Sequence, residues 1–364
     1  MKLFSASLLS RLTIIGLPLL IAVSCKKSDS APPTSPAVTT TALTNITTSS
    51  ATTGGTILIN GNAAITQSGI VWSKTNTTPT LTDSIVAGTT ASGSFTTNLT
   101  GLDFNTVYYI RAFATNSIGT GYGDVVKLNT TNDTSKVRFT YNGKDVVYSI
   151  IISPASGKKW LDRNLGALQA ATAFNDYKAY GDLFQWGRPA DGHQLITWTS
   201  STAGTAVNGT STTLATSDNP GHSNFILGDP YGTSDWRSNN NSNRWATTAQ
   251  GPCPVGWHVP TTVEWQAEVA TSQGGTATSA GIVDYNTGFS KLKLTIAGFR
   301  AGTGDSNPAA GQLWRNGQRG HYWCSSDTFN GAYSDVVMLI VGSTSAQFPE
   351  VEKSDGYSVR CIKD

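Results

Sequence analysis

Charge is scarce in this 364-residue chain. Asp, Glu, Lys and Arg together make up 13%, about half the usual quarter. Ser, Thr, Asn and Gly take their place, which suits short strands, turns and an extracytoplasmic surface better than a helical cytosolic enzyme. No basic stripe is present, so nucleic acid is not an expected partner. Histidine is nearly as rare. His193, His222, His258 and His321 are the four, and none form an H-x-x-x-H or H-E-x-x-H pair, which leaves zinc unsupported. A Gly-x-Ser-x-Gly elbow, a phosphate-cradling Gly-Lys-Thr loop and a dinucleotide fingerprint are all missing. The apolar run Leu12–Val23, broken by Gly16 and Pro18, is too short to span a bilayer.

That run belongs to a leader. Lys2 and Arg11 flank it, and it ends Ile21-Ala22-Val23-Ser24-Cys25, which resembles a bacterial lipobox with Ala22 where Leu is usual. Residues 1–25 are therefore expected to be a lipoprotein signal peptide, with Cys25 acylated as the new N-terminus. The alternative is an ordinary secretory signal cut nearby. Several acyl chains make a durable anchor, each buried CH₂ adding about 0.8 kcal/mol. Lys26 directly after Cys25 favours the outer over the inner membrane. Losing Lys2 and Arg11 with the leader leaves 23 basic against 23 acidic residues.

Residues 26–40 are Ser, Thr, Pro and Ala, the composition of a flexible tether. From 41 to 130 the pattern is short alternating strands. In Thr106–Thr115, Tyr108, Ile110, Ala112 and Ala114 share one face. Leu102, six residues ahead of Tyr108, gives the spacing of a tyrosine corner. With Trp72 in an earlier strand, the segment resembles a fibronectin type III domain, an all-β sandwich whose expected role is a spacer. A polar linker, Asn129–Ser135, follows.

Residues 136–364 differ in character, holding nine of the ten tryptophans and all four histidines. A hairpin is expected through Asn142-Gly143. The stretch Gly251–Trp265 is the hub. Thr261-x-x-Glu264 is a capping box, Pro260 forbids an earlier helix start, and Gly274-Gly275 ends the helix.

Six motifs occur in order: Trp160-Leu-Asp-Arg-Asn-Leu-Gly166, Gly181-Asp-Leu-Phe-Gln-Trp-Gly-Arg188, Cys253-Pro-x-Gly-Trp-His-Val-Pro-Thr261, Gly298-Phe-Arg300, Tyr322-Trp-x-Ser-Ser326 and Gly356-Tyr-Ser-Val-Arg-Cys361. Together they resemble the Fibrobacter succinogenes major paralogous domain family of secreted and lipid-anchored bacterial proteins. More distantly, Pro-Thr-x-x-Glu-Trp265 and the paired final strands resemble the C-type-lectin and formylglycine-generating-enzyme superfamily. The expected architecture is thus multidomain: a fibronectin-like sandwich, then an α+β C-type-lectin-like domain rich in loops. The resemblance carries no settled activity.

It does imply a disulfide. Cys253 and Cys361 both lie inside its motifs, whereas Cys324 stands where the motif has Ser and is expected as a buried thiol outside the pair. Pairing of Cys324 with Cys361 is the alternative. A redox or copper cysteine pair lacks the local spacing. His258, beside Trp257, reads as a structural residue rather than a base. Asp229 and Asp235, near the Asn239–Asn241 run, are oxygen ligands suited to calcium, although turn chemistry explains them equally well. No other cofactor is expected. Trp236 and Trp245, with Arg237 and Asn240, are candidate contacts for a sugar ring, against a reading in which the indoles fill the core. The function expected is a non-catalytic binding module for glycan or another surface protein, displayed on the outer membrane or cell surface. An extracytoplasmic enzyme on carbohydrate or peptide, and a purely structural surface protein, are the alternatives.

Overall fold

The computed structural model describes residues 31–88, 93–154, 156–228, 234–238, 244–245, 251–273, 292–303, 308–328, 333–340 and 346–364. The chain divides into two compact units at Asn132/Asp133.

The first unit is an antiparallel sandwich. Its strands are β1 (Ala37–Thr44), β2 (Ala51–Ile59), β3 (Gln67–Ser73), β4 (Ser84–Ala87), β5 (Gly93–Leu99), β6 (Val107–Thr115), β7 (Thr120–Tyr122) and β8 (Val126–Asn129). One sheet runs β1-β2-β5, the other β4-β3-β6-β7 with β8 also on β6. Alternation in β6 puts Tyr108, Ile110, Ala112 and Ala114 into a core with Ile57, Ile70, Phe95 and Leu128. The Tyr108 hydroxyl accepts the Asp103 amide at 2.8 Å, and Trp72 meets the Tyr108 ring edge-on at 5.4 Å.

The expected domain edges shift. β1 begins at Ala37, inside the segment read as tether, because the Asn116 side-chain amide takes the Thr34 carbonyl at 2.7 Å and the Thr34 amide takes Gly61 O at 2.9 Å. At the other end the Thr131 amide bonds Thr47 O at 3.0 Å, so part of the expected linker belongs to the sandwich.

The second unit opens with β9 (Lys136–Tyr141) and β10 (Lys144–Ile152), joined through Asn142 and Gly143 at φ 48° and 71°, the left-handed pair that a two-residue hairpin needs. β10 pairs β11 (Lys159–Leu161), β11 pairs Ile362–Lys363, and that strand pairs Trp257–His258. A larger sheet is built on Arg319–Thr328, Tyr333–Ile340 and Gly356–Ser358, and β12 (Leu183–Gln185) lies beside the last of these. A small hairpin, β13 (Ile196–Trp198) with β14 (Gly204–Ala206), stands apart.

One α-helix, α1, covers Thr262–Gln273 among the described residues. The α+β expectation therefore overstates helix: the unit is mostly β, because only this segment carries both a start signal and a buried face. The cap is reciprocal. Glu264 N donates to Thr261 Oγ1 at 3.1 Å, and Thr261 N donates to Glu264 Oε2 at 2.9 Å. Trp265 stacks on Trp160 at 4.7 Å. Glu268, one turn on, is buried and accepts from Ser153 Oγ at 2.5 Å and Trp160 Nε1 at 3.0 Å. The expected helix stop at Gly274-Gly275 lies outside the described residues.

Cys253 and Cys361, 108 positions apart in sequence, form a disulfide with Cα atoms 5.8 Å apart. A loop of that size adds roughly 2–5 kcal/mol. Cys324 is buried outside the bond.

Short strands leave many loop carbonyls inside the unit, and buried guanidiniums satisfy them. Arg360 donates to Leu161 O and Leu292 O at 2.8 Å, to Lys293 O at 3.0 Å and to Asn164 Oδ1 at 3.1 Å. Arg300 reaches Gly311 O, His193 O and Asn208 O at 3.0–3.3 Å. Arg188 takes Asn224 O and His222 O at 3.0 and 2.8 Å. Burial pushes the Arg300 guanidinium down to about 10 and that of Arg360 down as well. Arg360→Met would strand three carbonyls and is expected to lower the unfolding free energy by on the order of 3–5 kcal/mol in urea titrations followed by tryptophan fluorescence. Arg360→Lys, lacking the planar fork, should recover only part of it; a loss below about 1 kcal/mol for the Met variant would remove this account.

Candidate functional site

The residues singled out in sequence fall mostly inside the second unit's core. Trp236 is 0% exposed, and its Nε1 donates to Trp186 O at 2.7 Å. Trp245 is buried against Trp186 and Trp323, ring centroids 5.7 and 6.3 Å away. Arg237 is buried and ion-paired with Asp218. These three are corrected from ligand contacts to core. The Trp236 indole fills the gap between loops and brings one N–H for the Trp186 carbonyl, whereas Trp245 contributes its ring alone. Asp235 is buried and paired with Arg244, so its charge is already met; burial nevertheless raises its carboxyl above the usual range. Asp229 and Asn240 lie outside the described residues, as does Cys25. Among the described residues, no three His, Cys, Asp or Glu side chains converge on a metal position.

Two of the histidines are held in place by hydrogen bonds at both ring nitrogens. His193 is buried; its Nδ1 faces Asp191 Oδ1 at 2.7 Å, and its Nε2 accepts the Gln185 amide at 3.0 Å. Burial holds it near 4, hence neutral. His258 bridges Glu264 Oε2 (3.0 Å) and Asp364 Oδ1 (2.7 Å). Its bond to Glu264 chiefly raises its pKa. Burial pushes the Glu264 carboxyl up, but hydrogen bonds from His258 and Thr261 outweigh this and hold it near 2. The imidazole thus ties the capping box to the C-terminal residue.

The open site lies elsewhere. A cavity of about 530 Å³ lies against the β9–β10 hairpin, lined by Tyr141, Tyr148, Arg163 and Asp182 among others, with Leu168 and Val207 at its edge. Leu168 is 81% and Val207 56% exposed. Gly166, at φ 81°, lies so close to Asp182 that a side chain there would collide with the carboxylate. Two of the six motifs therefore meet here: the first supplies Arg163 and Gly166, the second Asp182.

Asp182 accepts from Tyr141 Oη at 2.7 Å and from the Ile196 amide at 3.1 Å. Tyr148 Oη accepts the Gly166 amide at 3.1 Å. Arg163 forks onto Asp162 at 2.8 and 2.9 Å and lies over the Tyr148 ring at 4.8 Å. Burial raises Asp182 to about 6, against the two hydrogen bonds that lower it, and raises Tyr148 to about 12. Sequence reasoning missed this site. Its signal was a charged residue within three positions of a glycine in each of two motifs, neither of which is a metal or nucleophile pattern.

No family model matches the chain, and no curated protein does. Solved structures similar to it include the sensor domain of an anti-sigma factor in Pseudobacteroides cellulosolvens, with 10% identity, 28% of this chain and 98% of that chain covered, and TM-score 0.22. Another is the sixth fibronectin type III domain of human fibronectin type III domain containing protein 3, at 19% identity, 29% and 93% covered, TM-score 0.22. Domains of titin share 18% identity over 28% of this chain and 32% of that chain, TM-score 0.21. Strand order and the Tyr108 corner make the first unit fibronectin type III-like.

Asp182 gives a pH signature. Its folded pKa is about 6 against an ordinary 3.8, so the folded chain holds this proton more tightly. The associated stabilisation is full below about pH 3.8 and lost as pH rises through about 6. Relative to the parent, Asp182→Asn should gain on the order of 3 kcal/mol between pH 4 and pH 7, read as the difference between two urea denaturation series. A pH-independent difference would contradict it.

Proposed function

We propose that this protein is a lipid-anchored protein of the outer membrane or cell surface. In this reading its first unit is a spacer, and its second is a non-catalytic binding module for glycan or another surface protein, of the major paralogous domain family that its six motifs resemble. A C-type-lectin-like ancestry for that unit rests on the capped helix ahead of paired final strands. The observation that carries the binding role is the hairpin cavity with exposed Leu168 and Val207 at its mouth. What favours binding over two-carboxylate hydrolysis is that Asp182 is the single carboxylate lining it among the described residues. Among those residues no helix is long and apolar enough to cross a membrane, and Cys25 supplies the anchor.

Two measurements test this. In cells fed labelled fatty acid, the intact chain should carry label and sediment with membranes, and Cys25→Ser should lose both; an unlabelled parent chain rules out the anchor. The intact chain should also bind immobilised envelope glycans or surface proteins saturably, and Leu168→Asp/Val207→Asp should weaken that binding at least tenfold. Non-saturable binding, or no effect of the pair, overturns the module.

A further inference from the structure

Resting on that reading, the lining of the hairpin cavity specifies its occupant more narrowly. A carboxylate has about four lone-pair positions. Asp182, which lines the cavity, uses one for Tyr141 and one for the Ile196 amide, leaving about two unused by these bonds. Tyr148 Oη receives the Gly166 amide, which leaves its own hydrogen to give. The wall therefore offers a strong acceptor and a hydroxyl donor together. A buried carboxylate short of donors is costly, so a ligand that brings donors recovers part of that cost.

Charge narrows the class further. Lys144 also lines the cavity and opposes an amine or other cation, while Arg163 is already paired with Asp162. Asp182 itself, ionised above about pH 6, opposes a carboxylate or phosphate at the floor. A wholly apolar occupant would bring the carboxylate no donor beyond Tyr141 and the Ile196 amide. What remains is a neutral molecule whose groups both give and take hydrogen bonds and which also has an apolar face. Leu168 and Val207 stand ready for that face, alongside Leu195 and Ile196. The volume, about 530 Å³, lies within the range of small-molecule sites, roughly 300–1,000 Å³.

We infer that this cavity is a saccharide subsite for a short neutral glycan, whose hydroxyls donate to Asp182 and accept from Tyr148 while a ring's C–H face lies on Leu168 and Val207. No metal is required at this site, because the carboxylate contacts the sugar directly.

The test is a glycan array probed with the intact chain at pH 7.5, followed by calorimetric titration with neutral oligosaccharides of two to four hexose or deoxyhexose units. The expected result is binding of neutral glycans in preference to uronic-acid, sulfated or amino-sugar ones, unchanged by chelator. Asp182→Asn should weaken it at least tenfold and Tyr148→Phe at least threefold. Leu168→Asp, at a position too exposed to disturb folding, should weaken it at least fivefold and guards against misfolding of the buried variants. Absence of neutral-glycan binding, or binding unchanged in Asp182→Asn and Leu168→Asp, overturns the subsite. If the chain instead binds a surface protein through Leu168 and Val207, the subsite falls and the binding module stands. If it binds nothing, both fall.

Discussion

Every buried carbonyl must find a donor, and this constraint shapes the second unit. Its strands are mostly two or three residues long, so ladders satisfy little of the backbone. Arg188, Arg300 and Arg360 each reach two or three loop carbonyls from fully buried positions. The indoles do the same one bond at a time: Trp186 Nε1 to Cys324 O, Trp198 Nε1 to Gly181 O, Trp236 Nε1 to Trp186 O. This explains a composition that is poor in charge yet rich in tryptophan. Three arginines lie inside, where a planar fork replaces a missing strand, and much of the apolar bulk carries a donor.

The motifs take on a physical meaning in that light. Arg188, Arg300 and Arg360 each sit in one of the ordered motifs, and a glycine elsewhere in each motif lies close to neighbouring backbone. A side chain at Gly298 would meet the Trp314 carbonyl, and one at Gly181 the Leu165 carbonyl. The motifs thus record how loops are fastened together. Among the described motif residues, Arg163, Gly166 and Asp182 line the hairpin cavity.

Legibility in the sequence followed the range of the interactions. Local devices were readable: the Thr261–Glu264 cap, the Asn142-Gly143 turn and the alternation of β6 are each complete within ten residues. The Cys253–Cys361 bond was readable through the resemblance, not from spacing. Trp236 and Arg237 were misplaced because a polar, turn-rich neighbourhood looks like surface; Arg244 and Asp235 neutralise each other and let it go inside. The hairpin cavity was invisible for a related reason. Tyr141 and Asp182 are 41 residues apart, and neither belongs to a pattern associated with chemistry.

The strand Lys159–Leu161 lies between β10 and Ile362–Lys363. Half of its ladder therefore waits for residues made some two hundred positions later, and Arg360 closes onto Leu161 across 199 positions. Contacts so distant along the chain slow folding. A polypeptide that cannot complete this sheet until its far end arrives gains its last ladder and the Cys253–Cys361 cross-link together, because Cys361 directly precedes the strand Ile362–Lys363.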